Sequence, residues 1–286
     1  MFKVESCAGK HYFSVFPAFL GPVYRLLASK RVFMTDPSSQ PPARDSTIGE
    51  TARTIIFAIL IALVIRTFAF EPFNIPSSSM VPTLLVGDFL FVSKYSYGYG
   101  GTGTFWGLPL FSGRVLEKEG PQRGDVVVFK WPRDNSTDYI KRVIGLPGDK
   151  IQMKDGILYI NGSPVERARL AEPLTEPGET PPTNVTDYTE HLPAGPDHVI
   201  RKRDGNEDPL DNTQEFAVPE HHYFMMGDNR DNSQDSRTTN VGYVPEENLV
   251  GRAQLIFFSL DEDARFWQFW KWPWAVRWDR LFTRIG

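Results

Sequence analysis

The stretch Asp138-Tyr-Ile-Lys-Arg-Val-Ile-Gly-Leu-Pro-Gly-Asp-Lys-Ile-Gln-Met-Lys-Asp-Gly-Ile-Leu-Tyr-Ile160 decides the fold class. Asp138 to Ile144 alternates side-chain character with the period of a strand, and Leu146-Pro-Gly-Asp149 closes it with turn residues. Lys150 to Met153 and Ile157 to Ile160 then face each other across Asp155-Gly156, the dipeptide of a tight hairpin. Working outward, Asp88 to Val92, Asp125 to Lys130, His222 to Met226 and Leu249 to Phe258 are further short β-rich runs closed by turn residues, with no helical period between them. The expected fold is mainly β: a twisted, antiparallel core over 74–155 and 219–260, with a smaller inserted β/loop subdomain over 156–218. Residues 166–218, rich in Pro, Glu, Thr, Asn and Asp, carry weak apolar patterning and read as decoration of that core.

A chain of 286 residues that is 41% apolar and 13% aromatic has ample material for a core. Its net charge of −4 is spread without long like-charge blocks, so no basic stripe is available to neutralise a phosphate backbone and nucleic acid is not an expected partner. The single cysteine, Cys7, excludes an intramolecular disulfide and any thiolate chemistry in the folded part.

Residues 1–53 contain apolar patches broken by Pro17 and Pro22 and then a Pro-rich stretch, which together read as a poorly ordered arm. Thr54 to Ile65 follows as a run of twelve, short enough on its own for a core helix or the apolar part of a signal peptide. Counted from Thr54 to Phe73 it reaches twenty residues, roughly 30 Å as a helix, if Arg66 extends toward headgroups. A single N-terminal transmembrane helix over 54–73 is therefore expected. Arg44 and Arg53 precede it while residues 71–90 hold no Lys or Arg, so the N-terminus should face the cytoplasm. A cleaved leader would need its apolar run to start within the first residues rather than after about fifty.

At the other end, residues 261–286 form a Trp-rich tail with five of the seven tryptophans between Phe266 and Trp278. Indole rings beside Lys271, Arg277, Arg280 and Arg284 fit an interfacial foot on a bilayer, and fit equally a cap on a core or dimer surface. Pro273 rules out one continuous amphipathic helix there.

Candidate chemistry narrows by elimination. The five histidines, His11, His191, His198, His221 and His222, show no paired zinc-ligand spacing, and no metal is expected. Gly98-Tyr-Gly-Gly-Thr-Gly103 is followed by residues that cannot open a helix under a pyrophosphate, so it reads as a loop and no cofactor is expected. Gly227 to Arg237 resembles a calcium loop until Arg230, Ser233 and Thr239 fall on positions that need other residues. No GxSxG turn is present either. Serine with lysine remains: a lysine deprived of water loses its proton readily enough to activate a serine hydroxyl. Ser79 lies in a Ser-rich turn directly after the apolar segment, and Lys141 shares a strand face with Tyr139 and Val143. On residue types alone, such a turn and such a lysine are most often a plain turn and a solvated side chain.

Four stretches in order change this reading: Phe73 to Leu84 (FNIPSSSMVPTL), Arg123 to Phe129 (RGDVVVF), Tyr139 to Asp149 (YIKRVIGLPGD) and Gly227 to Arg237 (GDNRDNSQDSR). Over residues 54–258 the chain resembles bacterial type I signal peptidases, membrane-bound serine proteases that remove leader peptides from secreted proteins. The resemblance implies Ser79 as nucleophile and Lys141 as its base, with the Ser79 N–H and the Ser77 hydroxyl as oxyanion hole. It implies that Ser233 orients the Lys141 amine by a hydrogen bond. Asp228, and Asp235 with Arg237 or Arg142, become structural pairs near the site. Phe73, Ile75, Pro76, Met80, Tyr139 and Ile140 become the lining of shallow pockets that admit Ala-x-Ala.

Preprotein signal peptides and the lipid bilayer are the partners so implied, with the secretion translocon nearby and no cofactor. The implied place is the bacterial cytoplasmic membrane, single-pass, with the catalytic domain on the periplasmic side. Some relatives have two spans and a disulfide in the insertion; this chain has one candidate span and lacks the cysteines. Two rivals stand beside this reading. A self-cleaving repressor of the SOS type shares Ser-Lys chemistry but needs a DNA-binding unit where the apolar segment lies. A catalytically dead, membrane-tethered β-domain that binds peptides by strand addition differs only in activity.

Overall fold

A computed structural model describes residues 48–97, 120–175, 183–203, 208–261 and 267–286. The N-terminal arm up to residue 47, the Gly98–Gly103 loop and parts of the insertion lie outside the described residues. In chain order the elements are α1 (Ile48–Phe68), β1 (Phe70–Asn74), β2 (Asp88–Ser93), β3 (Val126–Lys130), β4 (Asp138–Gly145), β5 (Lys150–Lys154), β6 (Ile157–Ile160), β7 (Ser163–Pro164) and β8 (Glu166–Arg169). There follow β9 (Val185–His191), β10 (Asp197–Arg203), β11 (Phe216–Ala217), β12 (His222–Met226), β13 (Val244–Pro245), β14 (Leu249–Ser259), α2 (Trp272–Ala275) and β15 (Thr283–Arg284).

The chain is mainly β. Among the described residues, an eight-stranded sheet runs β1-β2-β14-β3-β4-β12-β13 with β15 added to β14, and every pairing in it is antiparallel. Every strand expected from the sequence is present within a residue or two. The Asp155-Gly156 dipeptide has both φ angles positive, at 48° and 70°, and joins β5 to β6 with Lys154 opposite Ile157 as a two-residue hairpin demands. β14 is long and irregular because it serves three neighbours: bulges interrupt its pairing with both β2 and β3. Gly251 sits where a methyl group would lie 2.4 Å from the Ser93 carbonyl oxygen, so only glycine lets these strands approach so closely.

The structure departs from expectation at two places. The apolar segment is helical only to Phe68, and Phe70 to Phe73, expected within the span, form β1 with Asn74 and pair along β2. Here Glu71 and Pro72 stop the helix, and Pro72 is tolerated because β1 is an edge strand. Among the described residues no helix is long and apolar enough to cross a membrane; the side chains at 48 and 65–68 in α1 lie outside them. The insertion is also more ordered than its composition suggested, holding the three-stranded sheet β10-β9-β8 and part of the four-stranded β11-β5-β6-β7. Its weak apolar signal has a cause: Asp187, Glu190 and Lys202 point inward and are buried in ion pairs instead of in hydrocarbon.

The tail divides into a docked side and an open one. Ile285 enters the core beside Ile75, Met80 and Leu84. Arg277 donates to the carbonyls of Val86 and Leu260. The Arg280 guanidinium forks the fully buried Asp88 carboxylate at 3.1 and 2.5 Å, which also accepts from Ser259 Oγ at 2.7 Å. Trp267, Trp270, Trp274, Trp278 and Phe282 face outward, Trp274 at 86% exposure. The segment thus docks on the core through Arg277, Arg280 and Ile285 and leaves these aromatic side chains open.

Removing one partner of such a buried pair leaves the other charge uncompensated. Arg280→Met is expected to lower the unfolding free energy by about 3 kcal/mol, with partial recovery on adding Asp88→Asn. Urea denaturation of the purified protein measures both; a loss under about 1 kcal/mol would mean that the tail rests on the core without clasping it.

Candidate active site

Ser79 is placed by its neighbours. Ser77 is extended, with φ −133° and ψ 151°, and Ser78–Met80 makes one 3₁₀ turn closed by the Val81 N–H on the Ser78 carbonyl at 3.2 Å. Met80 and Leu84, both fully buried, root the turn in the core, and the Leu84 N–H bonds the Met80 carbonyl at 2.9 Å. The residue between these anchors and the surface is Ser79, 8% exposed at the floor of a cleft.

Lys141 arrives from β4, opposite Val127 of β3. It is only 4% exposed, and Nζ stands 2.7 Å from Ser79 Oγ while donating to the Ile140 carbonyl at 2.9 Å. The Tyr139 ring, stacked on Trp131, lies 5.6 Å from the amine. Burial pulls the Lys141 pKa down, the Asp235 and Asp228 carboxylates pull it back, and the balance is about 8. An amine whose neutral form is accessible near pH 8, in hydrogen-bond reach of a hydroxyl, can take that hydroxyl's proton. The Ser77 hydroxyl, 3.4 Å from Ser79 Oγ, is the nearby side-chain donor.

Two buried ion pairs hold the surroundings. The Arg142 guanidinium forks Asp228 at 2.9 and 2.7 Å, donates to the Gly124 and Gly286 carbonyls, and shares Asp228 with the Thr83 hydroxyl. Arg237 forks Asp235 at 2.9 and 2.8 Å, and Asp235 also accepts the Gly227 N–H. The choice left open by the motifs is therefore resolved: Arg237 pairs with Asp235, and Arg142 with Asp228. Burial pushes both carboxyls up, and the paired guanidinium with its hydrogen bonds more than reverses this, so each stays below the usual carboxylate range.

Two expectations need correction. Ser233 Oγ makes no hydrogen bond to Lys141: it is buried without a partner and packs against Gly227, where a methyl group would lie 2.3 Å from it. The amine's donor capacity goes instead to Ile140 and Ser79. Met80 does not line the cleft, because the 3₁₀ turn that raises Ser79 points Met80 into the core.

The cleft itself has a volume of about 570 Å³ and is lined by the expected Phe73, Ile75, Pro76, Tyr139 and Ile140, with Val128 at its base. Asn74, Thr137, Asp138, Asn232 and Gln234 add a polar rim that pattern reading missed. Among the described residues no three His, Cys, Asp or Glu side chains are grouped to hold a metal ion.

A lysine whose folded pKa lies below its unfolded value weakens folding at neutral pH, and this penalty fades as pH rises from about 8 toward 10.5. Relative to Lys141→Met, the parent should therefore gain about 3 kcal/mol of stability between pH 7 and pH 10.5. Urea titrations of both proteins across that range measure it; parallel curves would show an amine that is solvated and ordinarily charged.

Residues 48–258 match the family described as signal peptidase, peptidase S26. The signal peptidase I of Rickettsia typhi is 45% identical over 222 residues, 75% of this chain and 82% of that protein. That of Rickettsia conorii is 46% identical over 229 residues, covering 75% and 84%. A solved signal peptidase I from Enterococcus faecalis shares 30% identity over 47% of this chain and 97% of its own, with a TM-score of 0.27, too low to bear on the fold. By the extent of the family match and the identity to these relatives, the chain belongs to the signal peptidase family, peptidase S26, and is a peptide-bond hydrolase.

Proposed function

We propose that this chain removes N-terminal signal peptides from exported preproteins with a Ser79–Lys141 dyad. The observation that carries the reading is the 2.7 Å separation of a buried amine from a buried hydroxyl at the floor of a cleft. Neutral Lys141 takes the Ser79 proton as Oγ attacks the scissile carbonyl, and the carbonyl oxygen becomes an oxyanion facing the Ser79 N–H and the Ser77 hydroxyl. The C–N bond then breaks, and the Lys141 ammonium returns its proton to the leaving amine. Water, deprotonated by the same amine, hydrolyses the acyl-enzyme ester and frees Ser79.

Substrate choice follows from the walls. An extended peptide can lie along the cleft between the end of β1 and the start of β4, where Asn74 and Asp138 to Ile140 line it. Phe73, Ile75, Tyr139 and Ile140 are the walls against which small side chains, the Ala-x-Ala pattern, would pack. Under this reading Ser79→Ala abolishes cleavage of a preprotein in detergent. The parent's kcat/KM should rise with pH to an inflection near 8, because only the neutral amine is a base. Full activity in Ser79→Ala, or a rate flat from pH 6 to 10, overturns the dyad.

A membrane setting is the second part of the proposal: the bacterial cytoplasmic membrane, one span, N-terminus inside and the β-domain on the periplasmic side. α1 supports it. Ile55, Ile56, Phe57, Ile59, Leu60, Ile61 and Val64 stand exposed on it, an apolar surface suited to lipid. The open tryptophans of the tail supply a matching contact with headgroups. Substrate and enzyme confined to one plane meet at a raised effective concentration, with no new contact required. Alkaline carbonate washing of membranes should leave the full chain in the pellet and release a chain starting at Ala69; release of both would exclude a spanning α1.

A further inference from the structure

Three donors from one loop converge on two residues of the nucleophile turn, Ser78 and Ser79. Asn229 Nδ2 donates to the Ser78 carbonyl at 3.0 Å, the Asn229 N–H donates to the Ser79 carbonyl at 3.1 Å, and Asn232 Nδ2 donates to Ser78 Oγ at 2.9 Å. Nothing in the turn itself supplies such restraint. It is a single 3₁₀ turn of three residues, the Ser77 side chain does not cap its backbone, and its one closing bond is 3.2 Å long. The loop, by contrast, is anchored from behind by the inserted β9–β10 pair. The Arg201 N–H bonds the Asp228 carbonyl at 2.8 Å, the Arg203 N–H bonds Asp231 at 2.8 Å, and Lys202 bonds Asp231 at 3.0 Å. Arg230 of the same loop forks buried Glu190 of β9.

We propose that Asn229 is a positioning residue for the oxyanion site: by gripping the Ser78 and Ser79 carbonyls it sets the two peptide planes on either side of the nucleophile. The inference rests on the assignment of Ser79 as nucleophile. A trans peptide unit directs its C=O and N–H to opposite sides, so holding the Ser78 carbonyl on Asn229 turns the Ser79 N–H away from the loop and keeps it there. A donor fixed before the reaction stabilises a developing oxyanion without the cost of reorienting. The second bond, on the Ser79 carbonyl, stops the turn from rotating about the serine and carrying Oγ away from Lys141. In this arrangement the insertion braces the loop that in turn braces the nucleophile.

The test compares Asn229→Ala and the isosteric Asn229→Asp with the parent and with Ser79→Ala, using a synthetic leader peptide, an uncleavable analogue of it, and the corresponding peptide aldehyde, which adds to a serine hydroxyl as a tetrahedral oxyanion. The expected result for Asn229→Ala is a kcat lower by about 10–100-fold with KM within about twofold, a loss of aldehyde affinity of similar size, and unchanged affinity for the uncleavable peptide. Asn229→Asp should fall further despite keeping the shape, because its carboxylate oxygen faces the Ser78 carbonyl where an N–H stood. A merely space-filling Asn229 predicts the reverse order, with Asp close to the parent and Ala impaired through a lower melting temperature. Parent-like kcat and aldehyde affinity in both variants, or Asp matching the parent, overturns the proposal. Cleavage retained in Ser79→Ala would instead remove the nucleophile assignment on which it stands, so the two failures are distinguishable.

Discussion

The structure around the cleft is organised by one requirement: an amine must stay within 2.7 Å of a hydroxyl while being denied water. Each half is unfavourable alone. Burying Lys141 at 4% exposure opposes its charged form, and lifting Ser79 on a bare 3₁₀ turn gives it little local support. The β3–β4 pairing meets the first need by carrying Lys141 inward opposite Val127, and the buried Met80 and Leu84 meet the second by rooting the turn. The resulting instability is concentrated where the chemistry needs it, which is how active sites commonly spend the stability of their scaffold.

Charge near the amine is managed by pairing. Asp228 and Asp235 both favour the ammonium form of Lys141, and free carboxylates so close would hold it protonated. Neither is free. Arg142 and Arg237 engage them through parallel forks, and the Thr83 hydroxyl and the Gly227 N–H take further lone pairs. These pairs present little net charge to the lysine, so burial outweighs them and leaves its pKa near 8. Arg142 is also the residue after Lys141, and its bonds to the Gly124 and Gly286 carbonyls tie the strand to the tail at the site's rear.

How much of this was legible depended on what kind of residue carried the information. The short β-rich runs Val126–Lys130, Asp138–Gly145 and Leu249–Ser259, and the Asp155-Gly156 turn, report local backbone geometry, so the strands and the central hairpin followed directly. Ser79 and Lys141 are 62 positions apart and became a pair only through their motifs, since periodicity says nothing about which turn meets which strand. The insertion was underestimated because its inward-facing residues are Asp187, Glu190 and Lys202, and a scale that equates burial with apolarity is blind to a core built from ion pairs. Met80 and Ser233 failed for a different reason. Their orientation depends on the pitch of one short turn and on how closely Ser233 sits over Gly227, details of less than a residue's length that no pattern encodes.

Gly227 shows how tightly these demands interlock. Its N–H reaches Asp235, tying its backbone to the Arg237 pair. A methyl group on its Cα would lie 2.5 Å from the Ser79 carbonyl oxygen as well as 2.3 Å from Ser233 Oγ, so the loop can approach the nucleophile turn only because no side chain intervenes. That approach is what brings Asn229, two residues on, within reach of the Ser78 and Ser79 carbonyls. A larger residue at 227 would separate the loop from the turn even with every polar group intact. The absence of a side chain there is thus as much a part of the nucleophile's environment as the amine beside it, and the polar run from Gly227 to Arg237 is better understood as the wall that holds Ser79 than as a loop near it.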